Sequence, residues 1–191
     1  MEIRSFLAFE LPPEMKDAVA RVSESLRRST LDVRWVKVDN IHLTVVFMGD
    51  TKTDLLHEIG ADIKKVCSRY GSFDISLNGI GCFPNSRRPR VLWVGLDGDL
   101  DRMAQFRDDL QDQLEPFGIK SEKRKFKPHL TLGRFRSSRV GGRGLADILS
   151  THEALSSPSF PLNDLILFKS DLKPGGAVYT KLEAWPLLGA Q

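Results

Sequence analysis

The stretch His42-Leu43-Thr44-Val45 occurs a second time in this chain, as His129-Leu130-Thr131-Leu132. Each copy lies in a short apolar run rich in β-branched residues, which is typical of a β-strand. Because residues two apart on a strand point to the same side, each copy is expected to place its histidine and threonine on one face. In the first copy Leu43, Val45 and Phe47 then share the opposite, core-facing side. The sequence therefore predicts two strands that each present an imidazole and a hydroxyl.

The two histidines are 87 residues apart, and the same offset aligns other parts of the chain. It brings Ser72-Phe73 onto Ser159-Phe160 and the strand-like residues 5–9 onto residues 92–96. We interpret this as the duplication of a unit containing strand, helix, motif strand, helix and strand. We predict one bilobal domain over residues 1–191, with repeats at about 1–87 and 88–175. A pseudo-twofold axis would bring the two polar faces together across a groove.

Composition and cysteine content indicate an ordinary globular protein, with 41% hydrophobic and 28% charged residues. No apolar run approaches the roughly 18 residues of a membrane span, and the first residues lack the layout of a signal peptide. Cys67 and Cys82 are too few for a disulfide framework and are expected to be small buried residues. We therefore expect a cytoplasmic monomer that contacts no membrane.

Positive charge is concentrated around the second motif, although the net charge of the chain is only +3. Residues 120–143 carry many Lys and Arg, including Arg134, Arg139 and Arg143, against Glu122 alone. A second basic cluster comprises Arg87, Arg88 and Arg90. Such clusters attract phosphates, and the alternative is a solvated loop whose charges serve solubility. The position of the basic stretch on both sides of His129 favours phosphate binding.

Two histidines that face one groove suit paired acid–base chemistry, because one imidazole can take a proton while the other gives one. Each neighbouring threonine hydroxyl can donate to an oxygen that gains charge in the transition state. A phosphodiester fits this arrangement without any metal or cofactor. A single His-x-Thr strand is usually structural, but two copies at the same place in a repeated unit favour function. His57 and His152, on predicted helices, lack the His-x-Thr pattern of a companion hydroxyl two residues later.

These residues resemble the 2H phosphoesterases, a family named for two His-x-Thr/Ser-x motifs. More narrowly, the chain is similar to the RNA 2′,3′-cyclic phosphodiesterases, also called 2′-5′ RNA ligases. The resemblance extends over nearly the whole chain. It includes residues 4–12, Trp35-Val36, both motifs, residues 92–96, residues 127–134 and residues 170–179.

The resemblance implies an α+β fold of two pseudo-twofold-related lobes, each an antiparallel sheet with helices on its outer face and the active-site groove between them. It implies as substrate an RNA with a 2′,3′-cyclic phosphate end, or a small cyclic nucleotide, opened by water to a 2′-phosphate. His42 would be the proton donor, His129 the proton acceptor, and Thr44 and Thr131 the residues that hold the phosphate. The reverse reaction would form a 2′-5′ bond without ATP.

Arg134 matches a phosphate-contacting arginine of the narrower family, but it lies five residues after His129. On a regular strand an odd spacing would aim it toward the helices, whereas a bulge at Gly133 would turn it back toward the phosphate. Phe9, Trp35 and Phe126 are candidates for stacking on a base. For each of these three rings, core packing is the alternative.

Two rival functions follow from the same residues. A non-catalytic nucleotide- or RNA-binding module would share the scaffold, although the presence of both intact motifs argues against it. A metal hydrolase would use the histidines as ligands, but the closely spaced Asp, Glu or Cys that a metal site needs are absent from the motifs. Substitution of His42 and His129, and activity in EDTA, would separate these possibilities.

Overall fold

The computed structural model describes residues 1–137, 143–174 and 176–189. Arg139, Gly141 and Gly142 of the basic stretch, and Gly175 of a predicted turn, lie outside the described residues, as does the side chain of Arg143. The strands are β1 Glu2–Glu10, β2 Val33–Trp35, β3 His42–Lys52, β4 Phe73–Phe83, β5 Val91–Gly98, β6 His129–Phe135, β7 Phe160–Leu162, β8 Asp164–Lys173 and β9 Gly176–Pro186. The α-helices are α1 Pro13–Arg27, α2 Leu56–Cys67, α3 Leu100–Leu114 and α4 Arg143–Thr151.

The strands form two antiparallel sheets, which confirms the predicted α+β class. The first sheet has the order β3-β1-β8-β9 and the second the order β2-β6-β5-β4-β7. The triplet β3-β1-β8 therefore has a counterpart in β6-β5-β4. Because β4 comes from the first half of the chain and β8 from the second, each half supplies a strand to the sheet that holds the other half's motif. Neither half completes a sheet with its own strands.

One hydrophobic core lies between the helices and both sheets, and we call it the main core. Helix α1 begins with Pro13 in its first turn and buries Met15, Val19, Val22 and Leu26, as the periodicity predicts. The ring of Phe9 in the first sheet lies 5.8 Å from that of Phe73 in the second and 6.1 Å from that of Phe106 in α3. A smaller apolar cluster covers the other face of the first sheet and comprises Phe6, Ala8, Ile166 and Phe168.

Both motif strands carry a β-bulge at the same position. In β3 the pairing with β1 passes from Thr44 to Val46 and leaves out Val45. In β6 the pairing with β5 passes from Thr131 to Gly133 and leaves out Leu132, which is 87 residues from Val45. An extra residue reverses the alternation of faces beyond the bulge.

The bulge corrects the prediction that Phe47 faces the core. Because Val45 is left unpaired, Phe47 lies opposite Phe6, on the same face as His42 and Thr44, and is 51% exposed. The corresponding bulge in β6 places Arg134 opposite Val91, on the same face as His129 and Thr131. Phe47 and Arg134 are themselves 87 residues apart and occupy equivalent positions.

Two predicted element boundaries are wrong. The pair Gly49-Asp50 is a turn signal that predicts the end of the strand, with Thr51 or Thr53 as a cap of the next helix. Strand β3 does not stop there, because Gly49 adopts a φ of +73° and the chain continues pairing to Lys52. Thr51 therefore lies inside the strand, where its hydroxyl is 2.8 Å from that of Ser5, and no side chain caps α2. The mostly apolar residues 160–168 predict a single strand. They belong instead to two strands, β7 in the second sheet and β8 in the first.

Candidate active site

The two motif histidines are held in the same way. The Nδ1 of His42 is 2.9 Å from the carbonyl oxygen of Asn40, and the Nδ1 of His129 is 2.7 Å from that of Lys127. Because a carbonyl only accepts hydrogen bonds, each Nδ1 carries the hydrogen and donates it. In the neutral rings the lone pair then resides on Nε2, which is the atom available for proton transfer. Both rings thus have the same tautomer for the same reason.

Aromatic side chains surround each imidazole. The ring of His42 stacks on that of Phe6 at 4.7 Å and meets the edge of Tyr179 at 5.0 Å, with Phe168 at 6.0 Å. The ring of His129 meets Phe83 at 4.9 Å and Trp93 at 6.2 Å. Burial lowers the pKa of both histidines, and the backbone carbonyl bond to each opposes that shift.

The two pockets are filled differently at equivalent positions. Phe6 and Trp93 are 87 residues apart, as are Gly81 and Phe168. A Cβ on Gly81 would lie 2.3 Å from the indole of Trp93, so only glycine leaves room for that ring. The first sheet instead places Phe168 against Phe6, with ring centres 5.3 Å apart.

Thr44 is exposed and Thr131 is half-buried. Neither hydroxyl has a hydrogen-bond partner within residues 1–137, 143–174 and 176–189. On its strand each threonine is two residues from its histidine, on the same face. Both hydroxyls are therefore free to donate to a bound oxygen.

Arg134 lies near both polar faces. It shares a face with His129 and Thr131, and strands β3 and β6 contact each other. The pKa of Tyr179 is raised by burial, while the positive charges of Arg134 and Arg4 act in the opposite direction. Since Tyr179 also touches His42, the arginine beyond the second motif lies near the pocket of the first. We call the space between the polar faces of β3 and β6 the groove.

The three side chains predicted to stack on a base all pack against the main core. Phe9 is fully buried in the main core, on the opposite face of β1 from Phe6. Trp35 packs against the main core with the guanidinium of Arg27 over its ring at 5.4 Å. Phe126 also packs against the main core, with the guanidinium of Arg107 over its ring at 5.2 Å. Core packing is correct for Phe9, which is fully buried, so its stacking assignment is wrong. Trp35 and Phe126 are only partly buried, and stacking on a base stays a prediction for these two rings.

The rings that do contact the histidines carry a signal in the sequence. Phe6 follows Ser5 on β1, so its parity is opposite to that of Phe9, and the offset of 87 residues pairs it with Trp93. Tyr179 and Phe168 have no such signal. Phe168 lies on β8, which pairs with β1 through the exchange between halves, and Tyr179 lies on β9, which pairs with β8. The exposed ring of Phe47 requires knowledge of the bulge.

The basic residues around the second motif divide into paired and unpaired ones. Arg124 forms an ion pair with Glu122 at 2.6 Å, and Arg136 one with Asp32 at 3.4 Å. Arg87, Arg88 and Lys127 are exposed near the ends of β4 and β6.

Within the described residues, no three His, Cys, Asp or Glu side chains come together as metal ligands. No helix in the same part of the chain is long and apolar enough to cross a membrane.

Comparison with known families and proteins gives a consistent result. The family described as the 2′-5′ RNA ligase superfamily matches residues 9–174. An RNA 2′,3′-cyclic phosphodiesterase of Methanothermobacter thermautotrophicus is 30% identical over 187 residues, which are 98% of this chain and 100% of that protein. Another, from Aeropyrum pernix, is 30% identical over 168 residues, 88% of this chain and 94% of its own length.

Solved structures share the fold. The protein TT0787 of Thermus thermophilus superposes with a TM-score of 0.82 at 26% identity and covers 99% of this chain and 100% of that one. Escherichia coli LigT, crystallised with 3′-AMP, superposes with a TM-score of 0.76 at 25% identity and covers 98% of this chain and 99% of its own. Both comparisons span the two sheets from end to end.

Proposed function

The chain belongs to the 2′-5′ RNA ligase superfamily, and on that basis we propose that it is an RNA 2′,3′-cyclic phosphodiesterase, an enzyme that opens 2′,3′-cyclic phosphate ends to 2′-phosphates. The observation that carries the proposal is the matched pair of histidines. Both belong to strands that contact each other, and both donate from Nδ1 to a carbonyl, which leaves Nε2 for chemistry. Two relatives at 30% identity bear the name of this activity.

The reaction is an in-line displacement at phosphorus. The Nε2 of His129 takes a proton from water as the water oxygen bonds to the phosphorus atom. The bond from phosphorus to the 3′ oxygen breaks, and the Nε2 of His42 gives its proton to that oxygen. The products are a 2′-phosphate and a free 3′-hydroxyl. His42 is then neutral and His129 protonated, and exchange with solvent restores the starting state.

Thr44, Thr131 and Arg134 hold the phosphate in this scheme. Two free hydroxyls suit the two non-bridging oxygens, where charge develops in the transition state. Arg134 offers a planar fork of donors that matches a phosphate and adds a fixed positive charge. The bulge at Leu132 supports this role, because it turns the guanidinium toward the groove.

Burial lowers the pKa of His129, which suits its role as a base because the His129 ring then stays neutral near pH 7. His42 must instead be protonated to act as a donor, and its pKa is also lowered by burial. The negative charge of a bound phosphodiester would stabilise the His42 imidazolium and raise its pKa. Substrate binding would thus prepare the acid. No cofactor or metal takes part, and the reverse steps would join a cyclic end to a 5′-hydroxyl without ATP.

Incubation with an oligonucleotide that ends in a 2′,3′-cyclic phosphate, in the presence of EDTA, tests the proposal. We expect a 2′-phosphate product, and a 3′-phosphate would contradict the assigned leaving group. Loss of turnover on chelation would indicate a metal hydrolase. A protein that binds the oligonucleotide without turning it over would be a binding module, the rival function that the motifs also allow.

The two cysteines bear on the cellular compartment of the enzyme. Cys67 and Cys82 are free and buried. Burial raises the pKa of the Cys67 thiol to about 12 and raises that of Cys82 as well. Unreactive free thiols fit the reducing cytoplasm that we propose as the location. We propose a monomer, which sedimentation at micromolar concentration would test.

A further inference from the structure

Arg34 lies directly opposite Arg134 where β2 pairs with β6. Its neighbours Val33 and Trp35 pack against the main core. The side chain of Arg34 therefore projects from the other face of the second sheet, the face that carries Arg134 and the second motif. Two arginines thus form a row that runs from the motif toward the edge of the sheet.

This row has an uncompensated charge. Like charges directly opposite each other on antiparallel strands destabilise the pairing. Neither arginine has a carboxylate partner within the described residues, whereas Arg136, two positions farther along, is paired with Asp32. An anion bound across the row would remove the repulsion.

Arg34 also lies at the mouth of the groove. Its guanidinium donates to the carbonyl oxygen of Pro174 at 3.4 Å, and the amide of Asn40 donates to that of Ala177 at 3.5 Å. Through Arg34 the edge of the second sheet thus approaches the end of β8 in the first sheet, and Asn40, just before the first motif, binds the adjoining start of β9. A guanidinium has five N–H donors, so most of those of Arg34 are available.

We propose that Arg34 binds the phosphate that precedes the cyclic end in an RNA strand, so that this enzyme prefers oligonucleotides over cyclic mononucleotides. The inference rests on the proposed function, in which Arg134 holds the cyclic phosphate itself. One step between paired strands is about 4.8 Å. Two guanidiniums on flexible stems, at paired positions of neighbouring strands, can therefore each contact one of two successive phosphates of the same RNA strand.

The test compares two substrates, adenosine 2′,3′-cyclic phosphate and a trinucleotide with a 2′,3′-cyclic phosphate end. In Arg34→Gln we expect kcat/KM to fall about 10- to 100-fold on the trinucleotide, the size of a lost charged hydrogen bond. On the mononucleotide we expect a change of less than about twofold, because no preceding phosphate is present. The slope of log(kcat/KM) against log[salt] should become shallower by about 0.7 on the trinucleotide, as for one phosphate contact on a single strand.

Two variants serve as controls. Arg21→Gln removes the same charge from an exposed position on α1 and should leave both substrates and the salt slope unchanged. Arg34→Lys keeps the charge and should retain most of the salt slope while it loses part of the affinity. Thermal unfolding of all three variants reports whether the fold is intact.

Either of two results with Arg34→Gln would overturn the inference. If Arg34→Gln lowers kcat/KM equally on both substrates, Arg34 acts by holding the turn at Pro174, and the inference is overturned. If it lowers neither, Arg34 makes no contact with RNA. Both results leave the proposed function standing, since the wild-type enzyme still opens the ring. Failure of the wild-type enzyme on both substrates would instead overturn the proposed function, and the inference with it.

Discussion

His42 is surrounded by Phe6, Phe168 and Tyr179, whereas His129 is contacted by Phe83 and Trp93. Behind these different side chains the backbone is the same. Each histidine donates to the carbonyl two residues earlier, and each motif has a bulge at its fourth residue, Val45 or Leu132. The comparison teaches that main-chain geometry sets the tautomer and orientation of each histidine ring. The side chains that pack around each ring differ between the two pockets.

Beyond the bulge the two motif strands supply different side chains. At equivalent positions the first motif strand has Phe47, covered by the guanidinium of Arg4 at 4.7 Å, and the second has Arg134. A symmetric scaffold thus presents an asymmetric surface. This asymmetry suits a substrate whose incoming and leaving oxygens are different groups.

The largest expected effect comes from removal of either imidazole. His42→Ala and His129→Ala should each lower kcat by about 10²- to 10⁴-fold, because each ring moves a proton in the transition state. The two roles separate with a substrate whose 3′ leaving oxygen is replaced by sulfur, which leaves without protonation. That substrate should restore much of the rate of His42→Ala and none of that of His129→Ala.

His57→Ala is the matched control, since His57 is exposed on α2 and should be replaceable at no cost in rate. Rescue of both active-site variants by the sulfur substrate, or of His129→Ala alone, would refute the assignment of acid and base.

The second effect concerns the two hydroxyls. Thr44→Val and Thr131→Val should each lower kcat by about 10²- to 10³-fold with a smaller change in KM, as expected for a donor that acts mainly on the transition state. Valine keeps the shape of the side chain, so the folded structure should persist. A rate unchanged in one variant would show that the two halves of the site do not share the phosphate equally.

The third effect separates the packing of the two pockets. Phe168→Ala should lower the free energy of unfolding by about 3–5 kcal/mol through the cavity it leaves. Gly81→Ala should lower it by about 1–3 kcal/mol, because the new methyl displaces Trp93. Urea unfolding measures both. Equal losses, or no loss in Gly81→Ala, would show that the indole adapts and that the pockets are less distinct than their contacts indicate.

The smallest effect is the dependence of stability on pH. Burial holds the pKa of both histidines below the ordinary value of 6.5, so the folded state binds fewer protons than the unfolded state. The contribution of the two histidines to the free energy of unfolding is therefore fully present above pH 6.5. It is lost as the pH falls from 6.5 toward their lowered pKa values in the folded state. Denaturant unfolding between about pH 5 and pH 8 should show less of this loss in His42→Gln and His129→Gln. A steeper loss in the variants would contradict the direction of both pKa shifts.

The sequence alone was enough to find the four motif residues, because spacing and repetition are visible without coordinates. It also predicted the two antiparallel sheets through the resemblance. It could not place the side chains beyond each motif, since whether a strand bulges depends on which residue the partner strand leaves unpaired. Arg134 and Phe47 both depend on that choice.

The error at Phe9 has a different cause, because alternation along β1 already separates Phe9 from Phe6. The rings of Phe168 and Tyr179 lie more than a hundred residues from His42 and reach it only through the pairing of β8 with β1. Long-range pairing is the information that local patterns lack.

The crossing of strands between the two halves has a consequence for how such a molecule can be divided. A polypeptide comprising only one repeat would leave its third strand without a neighbour and its motif sheet one strand short. Two copies of that polypeptide could repair both defects by lending each other the missing strand. The present chain is equivalent to a tethered form of such a dimer, because covalent linkage makes the association of its two halves independent of concentration.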